Sequence, residues 1–277
     1  MHIRILGTGA AEGFPALFCE CPTCQRARRA GGKNIRSRTS IRIDDDLQVD
    51  LPPDSLSQNQ RLGQSMAGVE HLLVTHGHAD HFSPGELKWR DDPFAVWDRK
   101  PLLHVYGVRD VGEILNDSID TELADHDIQF HTVKPFTSFK AGSVEVLPIQ
   151  ANHAHERGAV NYILSRGAVT VLLAFDTGWY AERSWEALAE HCFDLAIIEC
   201  TNGRHDDPEA EHLSVEAVKR IQTELYSRGS LHEESKMVAI HFSHGGELLH
   251  HELENALKGH GIQVGYDGIE FHLPERS

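Results

Sequence analysis

Leu72-Leu73-Val74-Thr75-His76-Gly77-His78-Ala79-Asp80-His81 is the stretch whose reading decides the fold. A short apolar run closed by a polar cluster predicts a buried strand and a turn, and this turn crowds three imidazoles and a carboxylate into six residues. A core has no use for such a group. Neutral imidazole nitrogens and carboxylate oxygens are what zinc, manganese or iron accept. The spacing lets the group divide, with His76 and His78 facing one ion while Asp80 and His81 turn to a second. The competing reading, a histidine-rich surface turn, is disfavoured by the apolar strand that leads straight into it.

The pattern H-x-H-x-D-H resembles the metallo-β-lactamase superfamily of binuclear metallohydrolases. That resemblance implies an α/β fold, the αββα four-layer sandwich, with another His, a bridging Asp and a final His at strand ends downstream. His153 lies just past the apolar, alternating run Val146 to Ile149, which makes it the expected third ligand of the first ion. Asp176, in Phe175-Asp176-Thr177-Gly178, ends the nearly unbroken apolar run Val169 to Phe175. A carboxylate there is costly unless paired or bound to metal, and the resemblance makes it the bridging ligand; the other reading is a cap for a helix over about Glu182 to Glu190. His241 ends the strand Lys236 to Ile240, and the resemblance implies that it completes the second ion's set.

Composition bounds the rest. With 277 residues and 40% apolar content, the chain suits one domain spanning 1–277 with a real core. No stretch approaches the roughly 20 apolar residues of a membrane span, and an alternating strand, Met1 to Leu6, stands where a signal peptide would lie. A cytoplasmic location with no membrane partner is therefore expected. The balance of 42 acidic to 26 basic residues, a formal charge of −16, repels polyanions and disfavours nucleic acid as a partner. A small phosphorylated substrate remains compatible, because a metal cluster supplies its own positive charge. Whether two copies pair as a homodimer is left open.

Three of the five cysteines stand in Cys19-Glu20-Cys21-Pro22-Thr23-Cys24. In a reducing compartment this spacing suits a structural zinc site better than a disulfide; free thiols in a loop are the alternative. Pro22 fits the first turn of a short helix running to Ala30. A C-x-C-x-x-C after the first strand resembles the PhnP-like branch of the superfamily, typified by a phosphoribosyl 1,2-cyclic phosphate phosphodiesterase. In that branch a His three residues beyond the last catalytic His completes the zinc site, which implies His244. The tail Val264-Gly265-Tyr266-Asp267-Gly268-Ile269-Glu270 resembles the branch too, so the likeness spans nearly the whole chain. The loop Gly7-Thr8-Gly9-Ala10-Ala11-Glu12-Gly13 has the outline of a dinucleotide loop, but no well-formed helix follows it. A glycine turn beneath a metal site is the better account.

Ser40 to Ile43 and Leu47 to Asp50 read as a hairpin. The resemblance gives Asp50 a bracing role, orienting a ligand by hydrogen bonding, although Leu51-Pro52-Pro53 follows where the family usually has Ala-Gly. The polar segment Ser55 to Met66 is expected to be helical. Further strands are expected at Leu102 to Tyr106, Ile128 to Thr132, Phe136 to Lys140 and Ser143 to Ile149, together building the second half of the sandwich, and at Leu195 to Ile198. Ile262 to Leu273 reads as terminal β structure, and Cys192 and Cys200 as core or near-core thiols. Trp89 and Arg90, in a helix or loop over the site, contact substrate or are simply a packed Trp and a solvated Arg. His155 lines the pocket or is solvated. His212, at the head of the helical stretch Val215 to Tyr226, matches the late His of phosphodiesterase members; the resemblance implies that it binds phosphate or protonates the leaving alkoxide. As a lone His it could instead be a surface residue.

The implied activity is a binuclear metal-dependent phosphodiesterase acting on a small, cyclic phosphodiester such as phosphoribosyl 1,2-cyclic phosphate. Two zinc or manganese ions would share a hydroxide that attacks phosphorus, with Asp80 and His212 as catalytic residues and one further zinc in the thiolate knuckle. A tRNA 3′-processing-type nuclease shares these ligands but needs a basic arm that the sequence lacks. A PqqB-like accessory protein would keep the fold without turnover, and intact ligands at all seven positions weigh against it.

Overall fold

The computed structural model describes residues 1–119 and 121–274. Strands β1 (His2–Gly7), β2 (Ser40–Ile43), β3 (Leu47–Val49), β4 (His71–Leu73), β5 (Leu103–Gly107) and β6 (Ile128–Thr132) lie side by side in chain order. A second seven-stranded sheet takes β7 (Phe139–Ala141), β8 (Val144–Gln150), β9 (Val160–Arg166), β10 (Val169–Ala174), β11 (Leu195–Glu199), β12 (Lys236–Ile240) and β13 (Ile262–Val264). β14 (Glu270–His272) then returns to pair antiparallel with β1 at the edge of the first sheet. The helices are α1 (Pro22–Ala30), α2 (Ser55–Leu62), α3 (Arg109–Ser118), α4 (Glu182–Ala189), α5 (Val215–Ser227) and α6 (His250–Leu257).

The two faces of β10, β11 and β12 explain the layering. Val171, Leu173, Leu195, Ile197, Val238 and Ile240 pack against Ile3, Ile5, Ile41, Ile43 and Val49 of the facing sheet. The alternate residues Leu172, Ala174, Ala196, Ile198, Met237 and Ala239 pack instead with Trp185, Leu188, Val218, Ile221 and Leu253 on α4, α5 and α6. A strand covered on both sides must be apolar throughout, so these segments read as unbroken runs. The first sheet's outer face is different. Ser40 Oγ donates to Gln58 Oε1 at 2.7 Å, and Arg42 Nη2 donates to Gln48 Oε1 at 2.7 Å and Asn59 Oδ1 at 3.4 Å. α2 therefore buries Ser55, Gln58 and Asn59, and its polar sequence is a packed face. Helices cover both outer faces, giving the αββα sandwich.

Four sequence expectations need correction. β5 and β6 complete the first sheet, and only β7 and β8 begin the second, because the short connection after β6 crosses between layers. Phe136 has φ 63°, a left-handed turn that delays β7 to Phe139. β13 and β14 belong to different sheets. Cys192 is exposed in the loop after α4, whereas Cys200, directly following a buried strand, is inside. One strand had no expectation at all: β9, fully buried over Val160 to Leu164. It ties the layers together, since Tyr162 Oη donates to Val74 O at 2.7 Å and Val160 N to Thr75 O at 3.1 Å.

Strand direction brings the chemistry to one rim. β3 and β4 are parallel, β10, β11 and β12 are parallel, and β8 and β10 both run antiparallel to β9. The residues that follow β3, β4, β8, β10 and β12 consequently emerge at the carboxyl ends of strands, where open α/β sheets bind ligands. Among the described residues no helix is long and apolar enough to cross a membrane.

Candidate metal centre

At that rim the turn after β4 meets the residues after β8, β10 and β12. His76 Nε2 lies 2.9 Å from His78 Nδ1, and His153 Nε2 lies 3.3 Å from the same atom. Asp176 Oδ2 stands 3.9 Å from His76 Nε2 and 3.7 Å from His153 Nε2. The other Asp176 oxygen, Oδ1, is 3.1 Å from His81 Nε2 and 3.0 Å from His241 Nε2. Asp80 Oδ2 completes this second group at 3.2 Å and 3.8 Å from those nitrogens. Ligand atoms bonded tetrahedrally to zinc stand about 3.3–3.6 Å apart, so both groups have the dimensions of a metal site.

The donor atoms themselves test the fit. His81 Nε2, His241 Nε2 and Asp176 Oδ1 are buried and have no hydrogen-bond partner. Buried polar atoms left unpaired are costly and rare, and here three converge on one point. A divalent cation satisfies all of them. Burial, helped by the neighbouring His81, also holds His76 well below the usual histidine range, which leaves the ring neutral and able to offer its lone pair.

A surrounding shell fixes the ligands. Asp50 Oδ2 is 2.6 Å from His81 Nδ1, while Oδ1 accepts from Thr75 N at 2.8 Å. Thr75 Oγ1 lies 3.1 Å from His76 Nδ1, and Thr201 Oγ1 lies 2.9 Å from His241 Nδ1. Such contacts set ring orientation and ligand basicity. Asp50 (φ 61°), Asp176 (φ 28°) and His241 (φ 55°) all hold left-handed backbone. Each costs on the order of 1–3 kcal/mol and persists only where its surroundings over-determine it. Gly77 is needed for a different reason. A Cβ there would come within 2.1 Å of Asp110 Oδ2 and 2.5 Å of Ile114 Cδ1, so its absence lets the turn lie against α3.

His212 stands at the lip of the centre, its ring 4.7 Å from that of His153 and 6.1 Å from that of His241. Its Nδ1 is 2.6 Å from Glu199 Oε1, which leaves Nε2 for the cleft. Burial would lower the His212 pKa, but Glu199 outweighs it and the net shift is upward. Glu199 is wholly buried and accepts from Thr177 N at 2.8 Å, Thr201 N at 3.0 Å and Leu213 N at 3.1 Å. Sequence reasoning missed it, although an acid ending the apolar run Leu195 to Ile198 is the same signal that marked Asp176. Glu211 was also missed. Its Oε2 lies 3.6 Å from His153 Nδ1 and accepts from Ala154 N at 3.1 Å, and nothing in the sequence separates it from other loop acids.

The remaining sequence candidates lie elsewhere. His155 is outside both ligand groups, its Nε2 3.0 Å from Asn152 Oδ1. Trp89 and Arg90 line a different cavity, with Leu51, Met66, Leu87 and Trp97. There Arg90 Nη2 donates to Pro101 O at 2.7 Å and Trp97 Nε1 to Arg90 O at 2.8 Å. Residues 84–90 form a 3₁₀ helix, and neither residue belongs to the ligand groups.

A third group gathers Cys19, Cys21, Cys24 and His244. His244 Nδ1 is 3.5 Å from Cys19 Sγ and 3.4 Å from Cys21 Sγ. Cys21 N donates to Cys19 Sγ at 3.4 Å, Cys24 N to Cys21 Sγ at 3.3 Å and Ala16 N to Cys24 Sγ at 3.3 Å. Burial would raise the Cys21 thiol, yet Cys24 N–H and His244 bring it down to about 6. Three sulfurs and one imidazole with backbone donors around them fit a closed tetrahedral zinc.

Residues 48–242 match the family described as the beta-lactamase superfamily domain, a span holding all seven residues of the first two groups. The chain is 26% identical over 287 residues to a protein named octanoyltransferase from Porphyromonas gingivalis, covering 100% of this chain and 52% of that protein. It spans about half the length of the first curated relatives it matches. Its fold resembles the crystal structure of a diphosphatase from the PhnP family, with a TM-score of 0.75 at 21% identity over 99% of this chain and 98% of that one. It also resembles Zn²⁺-bound PqqB from Methylobacterium extorquens, with a TM-score of 0.75 at 16% identity over 99% and 100% of the two chains. At such identities these two likenesses are of fold.

Proposed function

The chain belongs to the β-lactamase superfamily, and from that premise we propose that it is a binuclear metal-dependent phosphodiesterase of the PhnP-like branch. Its substrate is a small phosphodiester, cyclic in the manner of phosphoribosyl 1,2-cyclic phosphate, hydrolysed in the cytoplasm by one domain spanning 1–277. The observation that carries this reading is the division of the two Asp176 oxygens between two ligand groups, with His212 beside them.

Two zinc or manganese ions would be held by His76, His78 and His153 on one side and Asp80, His81 and His241 on the other, with Asp176 common to both. When bound they would supply water acidic enough to be nucleophilic at neutral pH, and positive charge for the phosphoryl oxygens. The chain does the rest. Asp50, Thr75 and Thr201 keep the ligand rings from turning, and Glu199 fixes His212 so that Nε2 meets the leaving oxygen with a proton. Cys19, Cys21, Cys24 and His244 hold a structural zinc.

Turnover of bis(p-nitrophenyl) phosphate with added manganese or zinc is expected, and Asp80→Ala or His81→Ala should abolish it. Metal-replete protein inert towards every phosphodiester offered would defeat the proposal. Cys21→Ser should release one zinc per chain by elemental analysis and lower Tm by roughly 4–10 °C, the size of a loss of about 2–3 kcal/mol, while the catalytic ions remain. An unchanged zinc count and Tm would remove the structural assignment. The likeness to PqqB favours a second reading, an accessory protein without turnover. It has no use for a His212 held at the cleft by a buried Glu199.

A further inference from the structure

We propose that the leaving alcohol of the substrate carries an aromatic or similarly flat apolar group, which lodges in a cavity beyond His212; this rests on the phosphodiesterase reading above. The cavity has a volume of about 350 Å³, and its walls include Trp179, Pro208, Ala210, His212, Leu213 and Ala217. That is the low end of small-molecule sites, about 300–1,000 Å³, with room for a ring system and its immediate substituents.

His212 joins the cavity to the metal centre. It is a wall of the one and stands 4.7 Å from the His153 ring of the other. Nδ1 is occupied by Glu199, so Nε2 is the end left to meet the leaving oxygen, and because the same residue is part of the cavity wall the alcohol departs beside the cavity. Whatever that alcohol carries next must enter the cavity or face solvent.

The walls are built rather than incidental. Gly178 N donates to Asn152 O at 2.9 Å, and Asn152 Nδ2 donates to Trp179 O at 3.0 Å, which ties the Trp179 loop to the residue preceding His153. A Cβ at Gly178 would come within 2.2 Å of Ala210 O; only glycine lets this loop close against 207–212. The Trp179 ring packs on Trp185 with centroids 5.1 Å apart and is still 38% exposed, so part of it is left to meet a ligand. Flat groups gain from offset or tilted contact with such a ring.

Charge in the cavity points the same way. Arg220, also in the wall, gives two bonds of 2.8 Å to Asp206. Its guanidinium is already paired, and the carboxylate of Asp207 stands in the same wall, so the cavity is poorly suited to a second phosphate. These walls suit a flat apolar group on the sugar of the cyclic phosphodiester proposed above, at the end where phosphoribosyl 1,2-cyclic phosphate itself carries a second phosphate.

Ala217→Phe fills the cavity and is expected to lower kcat/KM for bis(p-nitrophenyl) phosphate by about tenfold. Inhibition by inorganic phosphate, which needs only the metal centre, should stay within about twofold and reports that the variant is folded. Trp179→Ala removes a wall without adding bulk, and should raise KM about fivefold, more than it lowers kcat. If both variants keep kcat/KM within about twofold of the parent, the proposal is overturned. A separate measurement needs no turnover: p-nitrophenol titrated onto metal-loaded protein should quench tryptophan emission saturably, and Ala217→Phe should abolish this. Saturable quenching in a protein that hydrolyses no phosphodiester would sustain the cavity and sink the reaction assigned to it; no saturable quenching overturns the cavity's role.

Discussion

Asp176→Asn should strip the centre of its ions and lower phosphodiester turnover by at least about a thousandfold, beyond the 10–100-fold expected for a residue that only touches a ligand. The two carboxylate oxygens of Asp176 face different nitrogen sets, Oδ2 towards His76 and His153, Oδ1 towards His81 and His241. An amide offers one oxygen and turns an N–H₂ donor towards the other set, where no acceptor is wanted. It also removes one of two carboxylates, Asp80 being the other, that balance two dications. The side chain is buried and the substitution isosteric, so the fold should survive and the loss should be read as chemistry. Elemental analysis and kcat/KM on bis(p-nitrophenyl) phosphate check it. A variant holding two ions with more than about a tenth of parental activity would mean that Asp176 is not shared.

His212→Ala should separate proton donation from simple phosphate binding. Positioned general acids contribute about 10²–10⁴ in rate, but only when the leaving group needs a proton. For a diester with an alkyl leaving group kcat should fall within that range, whereas for bis(p-nitrophenyl) phosphate, whose nitrophenolate departs unaided, the loss should stay below about tenfold. Metal content should not change. Glu199→Gln should reproduce part of the effect, because Glu199 Oε1 is what fixes the ring through Nδ1. Equal losses on both esters would make His212 a phosphate ligand and nothing more.

The residues that meet at the rim were legible in sequence for a physical reason. Each is an imidazole or carboxylate at the tip of an apolar run, where ordinary packing would place neither, and H-x-H-x-D-H concentrates four of them. The three thiols of Cys19, Cys21 and Cys24 were legible through their spacing, whereas His244 joined them only through the resemblance to the PhnP-like branch. What stayed hidden depends on tertiary context. Asn161 interrupts the apolar pattern of β9 and is satisfied by Phe175 O and Tyr180 Oη, which lie elsewhere in the chain. Membership of β5 and β6 in the first sheet is decided by which layer a short connection crosses to, a property no period reveals. Arg90 read as a solvated or substrate-facing cation, and the structure gives its Nη2 to Pro101 O, a contact eleven residues away in sequence. Thr75 and Thr201 act by a single hydroxyl each, and threonines at strand ends are too common to stand out.

Only Phe242 and Ser243 separate His241, in the rim, from His244, in the thiolate group. The segment is pinned at its middle, where Phe242 N donates to Thr8 O at 2.9 Å and Ala10 N to Phe242 O at 3.1 Å. Under the assignment proposed here, two cations pull on opposite ends of one tether. Phe242 holds the backbone between them, so a displacement at either end reaches the other through two residues only, and any coupling between the two sites would be equal in both directions.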